Sequence, residues 1–462
     1  MSEAKADSTD AIATILERME TYQDAPAVFS DGREFSYREY TDLVSRWIER
    51  LAKLNIDAGA VVAIRGEFTP MSMSLLWALA KCKAIAVPLT TSVAHQEAEF
   101  LEIAGAEVMI DLDRGASADV ERRQPGQTNE LIHAFREQGK PGLVVFTSGS
   151  TGKPKGILHD MERVARKFVT PRPSWRTVMF LMFDHFGGVN TFLSTGAYGG
   201  VAICLPGRGP NDVCRAIDQG RATLLPTTPT FLNLLLASGA HKQNDLSSVK
   251  LITYGTEVMS PETLERVVRA FPNAQVKQTY GLSELGVLRS SSEGNNSTWV
   301  RVGGDGFEVE VREGILWIRS EANMVGYLNA PSPFDDKGWF CTGDAVEVRD
   351  QFMRILGRKS ELINVGGQKV YPAEIEEILL QAPNVVEAAV YSAPHAILGH
   401  VVHARISLAE PEEGSAMSER LRKHCIEHMA RFKVPMKFIT SEQDNQVSSR
   451  FKKVRASTPK NG

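Results

Sequence analysis

Apolar and polar positions along this chain follow two alternating rhythms. Residues 12–19 have helical spacing, and Ala27-Val28-Phe29 and Glu34-Phe35-Ser36-Tyr37 read as short strands around a Ser30-Asp31-Gly32 turn. Ser36 is placed to cap a helix over 37–54, in which Leu43, Trp47 and Leu51 recur every four residues. The unbroken run Val61-Val62-Ala63-Ile64 predicts a buried strand. A helix over 71–82, a strand over 84–89, a helix over 94–104 and the strand Val108-Met109-Ile110 follow. The polar stretch 115–140, with Arg122-Arg123-Gln124-Pro125-Gly126, reads as an exposed connection. Strands near 178–182, 201–204, 222–225 and 251–254 then alternate with helices near 189–198, 211–219, 229–238 and 261–271. Such alternation predicts an α/β architecture with parallel-rich sheets.

From about residue 298 to 356 the pattern shortens to β-rich runs, such as Phe307-Glu308-Val309-Glu310-Val311 and Ile315-Leu316-Trp317-Ile318. The tail brings a new set: helices over 372–381 and 417–429, strands over 385–391 and 401–406. That is enough for a small α+β domain of its own. The expectation is a large N-terminal domain with α/β and β-rich parts, followed by a small C-terminal one.

Composition narrows the class. At 462 residues the chain exceeds one ordinary core, and 43% hydrophobic with 23% charged residues is a globular composition. A net charge of −4 argues against a broad nucleic-acid surface. Five dispersed cysteines (Cys82, Cys204, Cys214, Cys341, Cys425) with no CxxC spacing fit a reducing cytosol. The polar start Met1-Ser2-Glu3-Ala4-Lys5 lacks the apolar core of a signal peptide, and no apolar run reaches the ~18 residues of a spanning helix. A cytoplasmic protein without a membrane span is expected.

The chemistry begins at Phe146-Thr147-Ser148-Gly149-Ser150-Thr151-Gly152-Lys153-Pro154-Lys155-Gly156. After the apolar Gly142-Leu143-Val144-Val145, such a run makes a loop whose backbone N–H groups can surround an anion. Glycines allow close approach, hydroxyls donate and lysines supply charge. It is not a Walker A loop, because Lys153 is followed by Pro154 rather than Ser or Thr. The alternative is a plain Ser/Gly turn. Gln278-Thr279-Tyr280-Gly281-Leu282-Ser283-Glu284 puts an aromatic, a glycine, a hydroxyl and a carboxylate at a strand end, which suits either a nucleotide or an ordinary strand-to-helix turn. Cys341-Thr342-Gly343-Asp344 places a carboxylate after a tight turn, and Gly357-Arg358 leads through Val365-Gly366-Gly367-Gln368-Lys369-Val370-Tyr371-Pro372-Ala373-Glu374-Ile375-Glu376 into the tail.

In this order the four motifs resemble the adenylate-forming superfamily of acyl-CoA synthetases, luciferases and peptide-synthetase adenylation domains. The resemblance runs from Asp31-Gly32-Arg33-Glu34-Phe35-Ser36-Tyr37 to the C-terminal lysines. It implies an enzyme that joins a carboxylic acid to ATP, releases pyrophosphate, and then transfers the acyl group by swinging the small domain. The boundary would fall between residues 1–357 and 358–462, with the hinge within Arg358–Ser360, where Ser360 replaces the usual Asp or Lys. Carried over by position, Thr147, Ser148, Gly149, Ser150, Thr151, Gly152 and Lys153 would hold the ATP phosphates. Tyr280 would lie against adenine, and Tyr254-Gly255-Thr256-Glu257 would form the adenine-side loop. Glu284 would hold Mg²⁺, Ser283 (usually Thr) would contact phosphate, and Asp344 and Arg358 would bind the ribose hydroxyls.

Carboxylate attack on the α-phosphorus builds charge between two anions, so alignment and positive countercharge matter more than a general base. The resemblance gives that countercharge to Lys453 in Ser449-Arg450-Phe451-Lys452-Lys453-Val454-Arg455. Lys452 stands where glycine is usual, so the role can fall on either lysine, and a solvated basic tail is the other reading. His185 in Phe183-Asp184-His185-Phe186-Gly187-Gly188 would contact the incoming carboxylate; Asp184 is read as structural. His185, Phe186, Gly187, Val189, Tyr254, Gly255, Gly281 and Leu282 would line a mostly apolar acyl pocket for an aliphatic or aromatic monocarboxylate. Gly366 and Gly367 would leave room for a pantetheine arm. Coenzyme A is therefore the first acceptor expected, ahead of a carrier-protein thiol or an amine. A non-catalytic nucleotide binder or a luciferase-like oxygenase is the reading from a different class.

Overall fold

The computed structural model describes residues 10–113, 118–124, 129–148, 153–304, 306–441, 453 and 455. They form two compact units, each built from non-contiguous segments. One comprises Met1–Pro226, Gly281–Val287 and Ser320–Pro333; the other comprises Thr227–Tyr280, Leu288–Arg319 and Phe334–Gly462.

A seven-stranded sheet anchors the first unit, in the order Gly326–Tyr327, Pro154–Asp160, Gly142–Ser148, Ile85–Leu89, Val61–Arg65, Val108–Asp111, Asp119–Arg122. Its four inner strands are parallel and its outer ones antiparallel. Ile85–Leu89 is buried at every position, as a parallel strand covered on both faces should be. Pro88 in this central strand looks like a break. It is tolerated because pairing with the neighbour Gly142–Ser148 stops at Ala86↔Leu143. Helix Pro70–Lys81 starts on a Thr69/Ser72 capping box with Pro70 in its first turn, and nearly its whole surface is buried.

A second sheet in this unit runs Arg176–Val178, Val201–Ile203, Pro26–Ser30, Arg33–Ser36, parallel except for the last pair. Ser36 caps helix Tyr37–Lys53 with Glu39 completing the box, and the buried stripe is Tyr37, Tyr40, Val44, Trp47 and Leu51. Leu43 lies beside that stripe, half-buried.

Two expectations need correction. The stretch 115–140 is not simply an exposed connection, since Asp119–Arg122 pairs with Val108–Asp111 and helix Glu130–Arg136 buries Ile132 and Phe135 in the core. Its charged surface residues masked two apolar anchors four positions or fewer apart. The strand near 178–182 is the shorter Arg176–Val178, and Met179, Phe180, Met182 and Phe183 are buried beyond its end.

In the second unit Leu251–Tyr254 and Gln275–Gln278 are parallel neighbours. A six-stranded sheet follows in the order Ser290–Ser292, Val300–Val302, Phe352–Arg358, Phe340–Arg349, Ile315–Ser320, Phe307–Arg312. From Ile363 onward the chain forms its own five-stranded sheet, flanked by helices Pro372–Leu380 and Gly414–His428. This segment has its own apolar core, built on Val370, Ile375, Leu379, Ala404, Ile406 and Leu421. No helix among the described residues is long and apolar enough to cross a membrane.

Candidate active site

The loop that opened the chemistry is framed by the hairpin Gly142–Ser148 and Pro154–Asp160, with Thr147 opposite Lys155 and Ser148 opposite Pro154. Gly149, Ser150, Thr151 and Gly152 lie outside the described residues, as does the side chain of Ser148. Lys153 is exposed at the loop's far end. The short strand Gly326–Tyr327 pairs with the second arm of the hairpin, Tyr327 opposite Ile157. That pairing delivers a phenol the sequence did not advertise. The Tyr327 hydroxyl donates to Glu284 Oε1 at 2.7 Å, and Lys155 Nζ lies 4.9 Å from the Tyr327 ring centroid. Burial and the Glu284 carboxylate together hold the phenol well above its ordinary pKa, so it keeps its proton and donates it to Glu284. The Glu284 carbonyl also accepts from Met324 N–H at 2.9 Å, which fixes the carboxylate's backbone.

In the same unit His185 caps helix Phe186–Ala197, with Nδ1 accepting from the Gly187 N–H at 3.2 Å. A neutral ring therefore carries its proton on Nε2. The next residue, Phe186, is buried, and its ring lies 4.5 Å from that of His159. Burial lowers the pKa of His159 to about 3, so this ring stays neutral at any working pH. Gly187 is half-buried and Val189 fully buried behind them. Gly281 pairs with Val287 in a short hairpin, and a Cβ on it would lie 2.9 Å from the Gly286 carbonyl oxygen. Leu282 and Ser283 are half-buried in the same hairpin region.

Gly188 sets the seating of Phe186. A Cβ there would lie 2.0 Å from the Met182 carbonyl oxygen, a collision between backbone and side chain that no rotamer relieves. Gly188→Ala is expected to destabilise the protein by about 3 kcal/mol, the upper end for overpacking a close-packed site. Thermal unfolding would show it, and an unchanged first transition would contradict the contact.

The second unit holds a different cluster. Asp344 is buried opposite Arg358 on neighbouring strands, and its carboxylate has two donors. The Tyr280 hydroxyl reaches Oδ2 at 2.5 Å and Arg358 Nε reaches Oδ1 at 3.2 Å. Thr342 Oγ1 accepts from the Asp344 N–H at 3.0 Å, which closes the turn. Burial raises the pKa of Asp344, and Arg358 and Tyr280 pull it back. Tyr280, itself buried, has its phenol raised by burial first and by Asp344 second. Tyr280, Asp344 and Arg358, separated by 64 and 14 positions in sequence, are thus one hydrogen-bonded group.

Beside it Tyr254 is buried, and its carbonyl accepts from both the N–H and the hydroxyl of Thr279. Gly255 is required by this closeness, since a Cβ would lie 2.9 Å from the Thr279 carbonyl oxygen. Thr256 has φ of 69°, a conformation that a β-branched residue holds only at a cost of order 1–3 kcal/mol. Such strain is a reason to look for function at this loop. Glu257 accepts from the Thr230 N–H at 3.3 Å and from the Lys453 N–H at 2.7 Å.

Gly366 and Gly367, with φ of 55° and 89°, form the two-residue turn between Ile363–Val365 and Gln368–Val370. Positive φ at both positions is the turn that tight hairpins favour, and glycine adopts it without strain. Lys453 lies in this unit with its Nζ between Glu376 and Glu387, and it lines a cavity of about 290 Å³ together with Thr230, Asn233 and Tyr371.

Residues 15–328 match the family described as AMP-binding enzyme, and residues 374–448 match the AMP-binding enzyme C-terminal domain. The chain belongs to the AMP-binding enzyme family. It is an AMP-forming ligase of the adenylate-forming type. It is similar to the long-chain-fatty-acid–CoA ligase FadD13 of Mycobacterium tuberculosis, 28% identical over 93% of each chain. Among solved structures, the anthranilate CoA ligase AuaEII in complex with anthranoyl-AMP shares the fold at TM-score 0.79 and 20% identity, over 94% of this chain and 93% of that one. The amide bond synthetase McbA from Marinactinospora thermotolerans shares it at TM-score 0.76 and 22% identity, over 97% and 98%.

Tyr327, Glu376 and Glu387 are contacts of this enzyme that sequence reasoning left without a role. Tyr327 reaches Glu284 across 43 positions. Glu376 was visible inside the Pro372–Leu380 helix, but nothing local marked its partners.

Proposed function

We propose that this ligase transfers its activated acyl group to coenzyme A. Asp344 carries the reading of the nucleotide site: a buried carboxylate with two fixed donors is a pre-oriented acceptor, suited to a diol such as the ribose 2′- and 3′-hydroxyls. Arg358 would share that contact, and Tyr280, Tyr254, Gly255, Thr256 and Glu257 would flank the adenine. Thr147 through Lys153, with Ser283, would hold the phosphates.

The donor set at Glu284 suits Mg²⁺. That ion is usually held by one or two carboxylates plus substrate phosphates, and among the described residues no cluster of three metal-ligating side chains exists. When bound, the ion would neutralise phosphate charge; the protein's part is to hold the Glu284 carboxylate still, through Tyr327.

In the first half-reaction a substrate carboxylate oxygen bonds to the α-phosphorus, and the bond to the pyrophosphate oxygen breaks. His185, with a fixed tautomer, would orient the carboxylate, and the Lys453 ammonium would offset the developing charge. In the second, the acceptor sulfur attacks the acyl carbon, AMP leaves with the electron pair, and the thiol proton is lost to solvent. The hairpin tip Gly366-Gly367 carries no side chain, which suits passage of a pantetheine arm. We put the boundary between acting domains at 357/358 with the hinge in Arg358–Ser360; Arg358 is extended and Lys359–Glu361 makes one 3-10 turn.

The pocket residues Phe186, Val189 and Leu282 favour an apolar monocarboxylate. The five free cysteines suit a cytosolic setting. The test is a panel of aliphatic and aromatic acids read by pyrophosphate release, with coenzyme A, a carrier protein and amines as acceptors. Acid-dependent release with acyl-CoA formation is expected. An acyl-amide or acyl-carrier product would move the acceptor assignment, and release indifferent to every acid would end the ligase reading.

A further inference from the structure

Lys453 occupies a closed acidic seat. Its Nζ lies 2.8 Å from Glu387 Oε1 and 3.5 Å from Glu376 Oε2, and it donates to the Ala388 carbonyl at 3.1 Å. An ammonium has three protons, and these are three acceptors. Glu376 and Glu387 are 3% and 1% exposed respectively, so both carboxylates are buried. Each is also held by other donors. Asn233 Nδ2 donates to Glu387 Oε2 at 2.8 Å, and Arg266 in turn holds Asn233 Oδ1 at 3.0 Å. Glu376 accepts from the Val390 N–H at 3.0 Å and from Arg455 through both oxygens, at 2.9 and 2.8 Å.

The two carboxylates differ in what they lose when the lysine leaves. Glu376 keeps the Arg455 guanidinium. Among the described residues Glu387 keeps neutral donors, the Asn233 amide and the Ala388 N–H. A buried carboxylate stripped of its cation is costly, so Glu387 pulls the lysine back. A triphosphate offers a stronger competing anion, and that pull falls once pyrophosphate has gone.

We infer that Glu376 and Glu387 form a resting seat that withdraws Lys453 from the adenylation step, with Glu387 as the positioning residue that governs its release. The inference rests on the reading of Lys453 as the adenylation lysine. An ammonium with all three protons engaged here cannot at the same time offset charge at a reacting phosphate, so adenylation requires the seat to empty.

Chemical acylation of amines with acetic anhydride, read by mass spectrometry on the full-length protein, reports the seat directly. Exposed Lys369 serves as the internal reference. In the wild type Lys453 should react at least about tenfold more slowly than Lys369, and Glu387→Gln should raise its reactivity about tenfold with Lys369 unchanged. The same variant should speed acid-dependent pyrophosphate exchange several-fold while slowing acyl transfer from supplied acyl-adenylate. Glu387→Asp should restore most of the protection. Unchanged labelling of Lys453 in Glu387→Gln would overturn the seat, and an equal fall in both half-reactions would overturn the positioning role. Should that variant fail to fold, Asn233→Ala, which leaves Glu387 charged with one neutral donor fewer, should tighten its hold and lower the labelling of Lys453 further; no fall would overturn the seat. Full adenylation by Lys453→Ala would instead remove the reading of the lysine, a result distinct from any change in labelling.

Discussion

Asp344→Asn is expected to raise the KM for ATP about 10²-fold while the KM for the carboxylic acid stays within about threefold. A charged hydrogen bond contributes about 1.5–3 kcal/mol, and a carboxylate facing a diol makes two. Asparagine keeps the shape but offers one acceptor oxygen where Tyr280 and Arg358 each claim one. It cannot serve both donors and also receive hydroxyls. Folding should be affected little. Burial raises the pKa of Asp344, so ionising it costs more in the folded protein than in the unfolded chain. A raised carboxylate contributes stability below its unfolded pKa and loses it as pH rises through the folded value. At neutral pH the ionised group is therefore a cost that asparagine removes. The Arg358 side chain is 52% exposed, so breaking its ion pair costs little in water. Steady-state kinetics with ATP varied, alongside thermal unfolding, separates the outcomes. Tyr280→Phe is the control: it deletes one donor, leaves the carboxylate, and should raise the KM for ATP by no more than about tenfold. An Asp344→Asn enzyme with an unaltered KM for ATP would make the group a structural strut.

Much of the candidate site could be proposed from local sequence, for a physical reason. Loops that approach a nucleotide closely need glycine, hydroxyls and a fixed charge in tight local order, so their signal is local. Ser36 announced a helix start in the same local way, and Glu39 completes its capping box in the structure. What the sequence hid is contact at long range. Tyr327 meets Glu284 only because Gly326–Tyr327 adds to the edge of the hairpin that frames the phosphate loop. Ile132 and Phe135 look like part of a short apolar run inside a polar stretch until helix Glu130–Arg136 packs them into the core of the parallel sheet. Gly366-Gly367 was legible as a small pair, but its reason was conformational. Both residues have positive φ in a two-residue hairpin, a demand that spacing alone does not separate from a need for room.

Lys453→Ala is expected to cut acid-dependent pyrophosphate exchange by about 10³-fold, with ATP affinity and acyl transfer from supplied adenylate each within about threefold of wild type. The split between half-reactions follows from the chemistry. Charge accumulates on the phosphate oxygens only while the carboxylate attacks, so a countercharge acts on that step and not on the thiol's attack at the acyl carbon. The lysine is charged in its seat. Burial alone would lower its pKa, but Glu376 and Glu387 outweigh that and raise it. The same pairing makes a second signature. Removing the cation leaves Glu376 with Arg455 and leaves Glu387 buried without a cation among the described residues, so the alanine variant should also be less stable. Glu376, which burial would push up, is held at about 2 by Arg455 and Lys453. Its folded pKa lies below the unfolded one near 4.5, so its contribution is present above the unfolded value and is lost as pH falls toward 2. In Lys453→Ala that loss should be smaller and complete at higher pH, because one of the two cations is gone. Lys453→Arg keeps the charge but replaces a compact ammonium with a planar fork, and should restore stability better than rate. Lys452→Ala decides the neighbouring assignment. A full rate with Lys452→Ala and a 10³-fold loss with Lys453→Ala fixes the role on Lys453, and the reverse pattern transfers it.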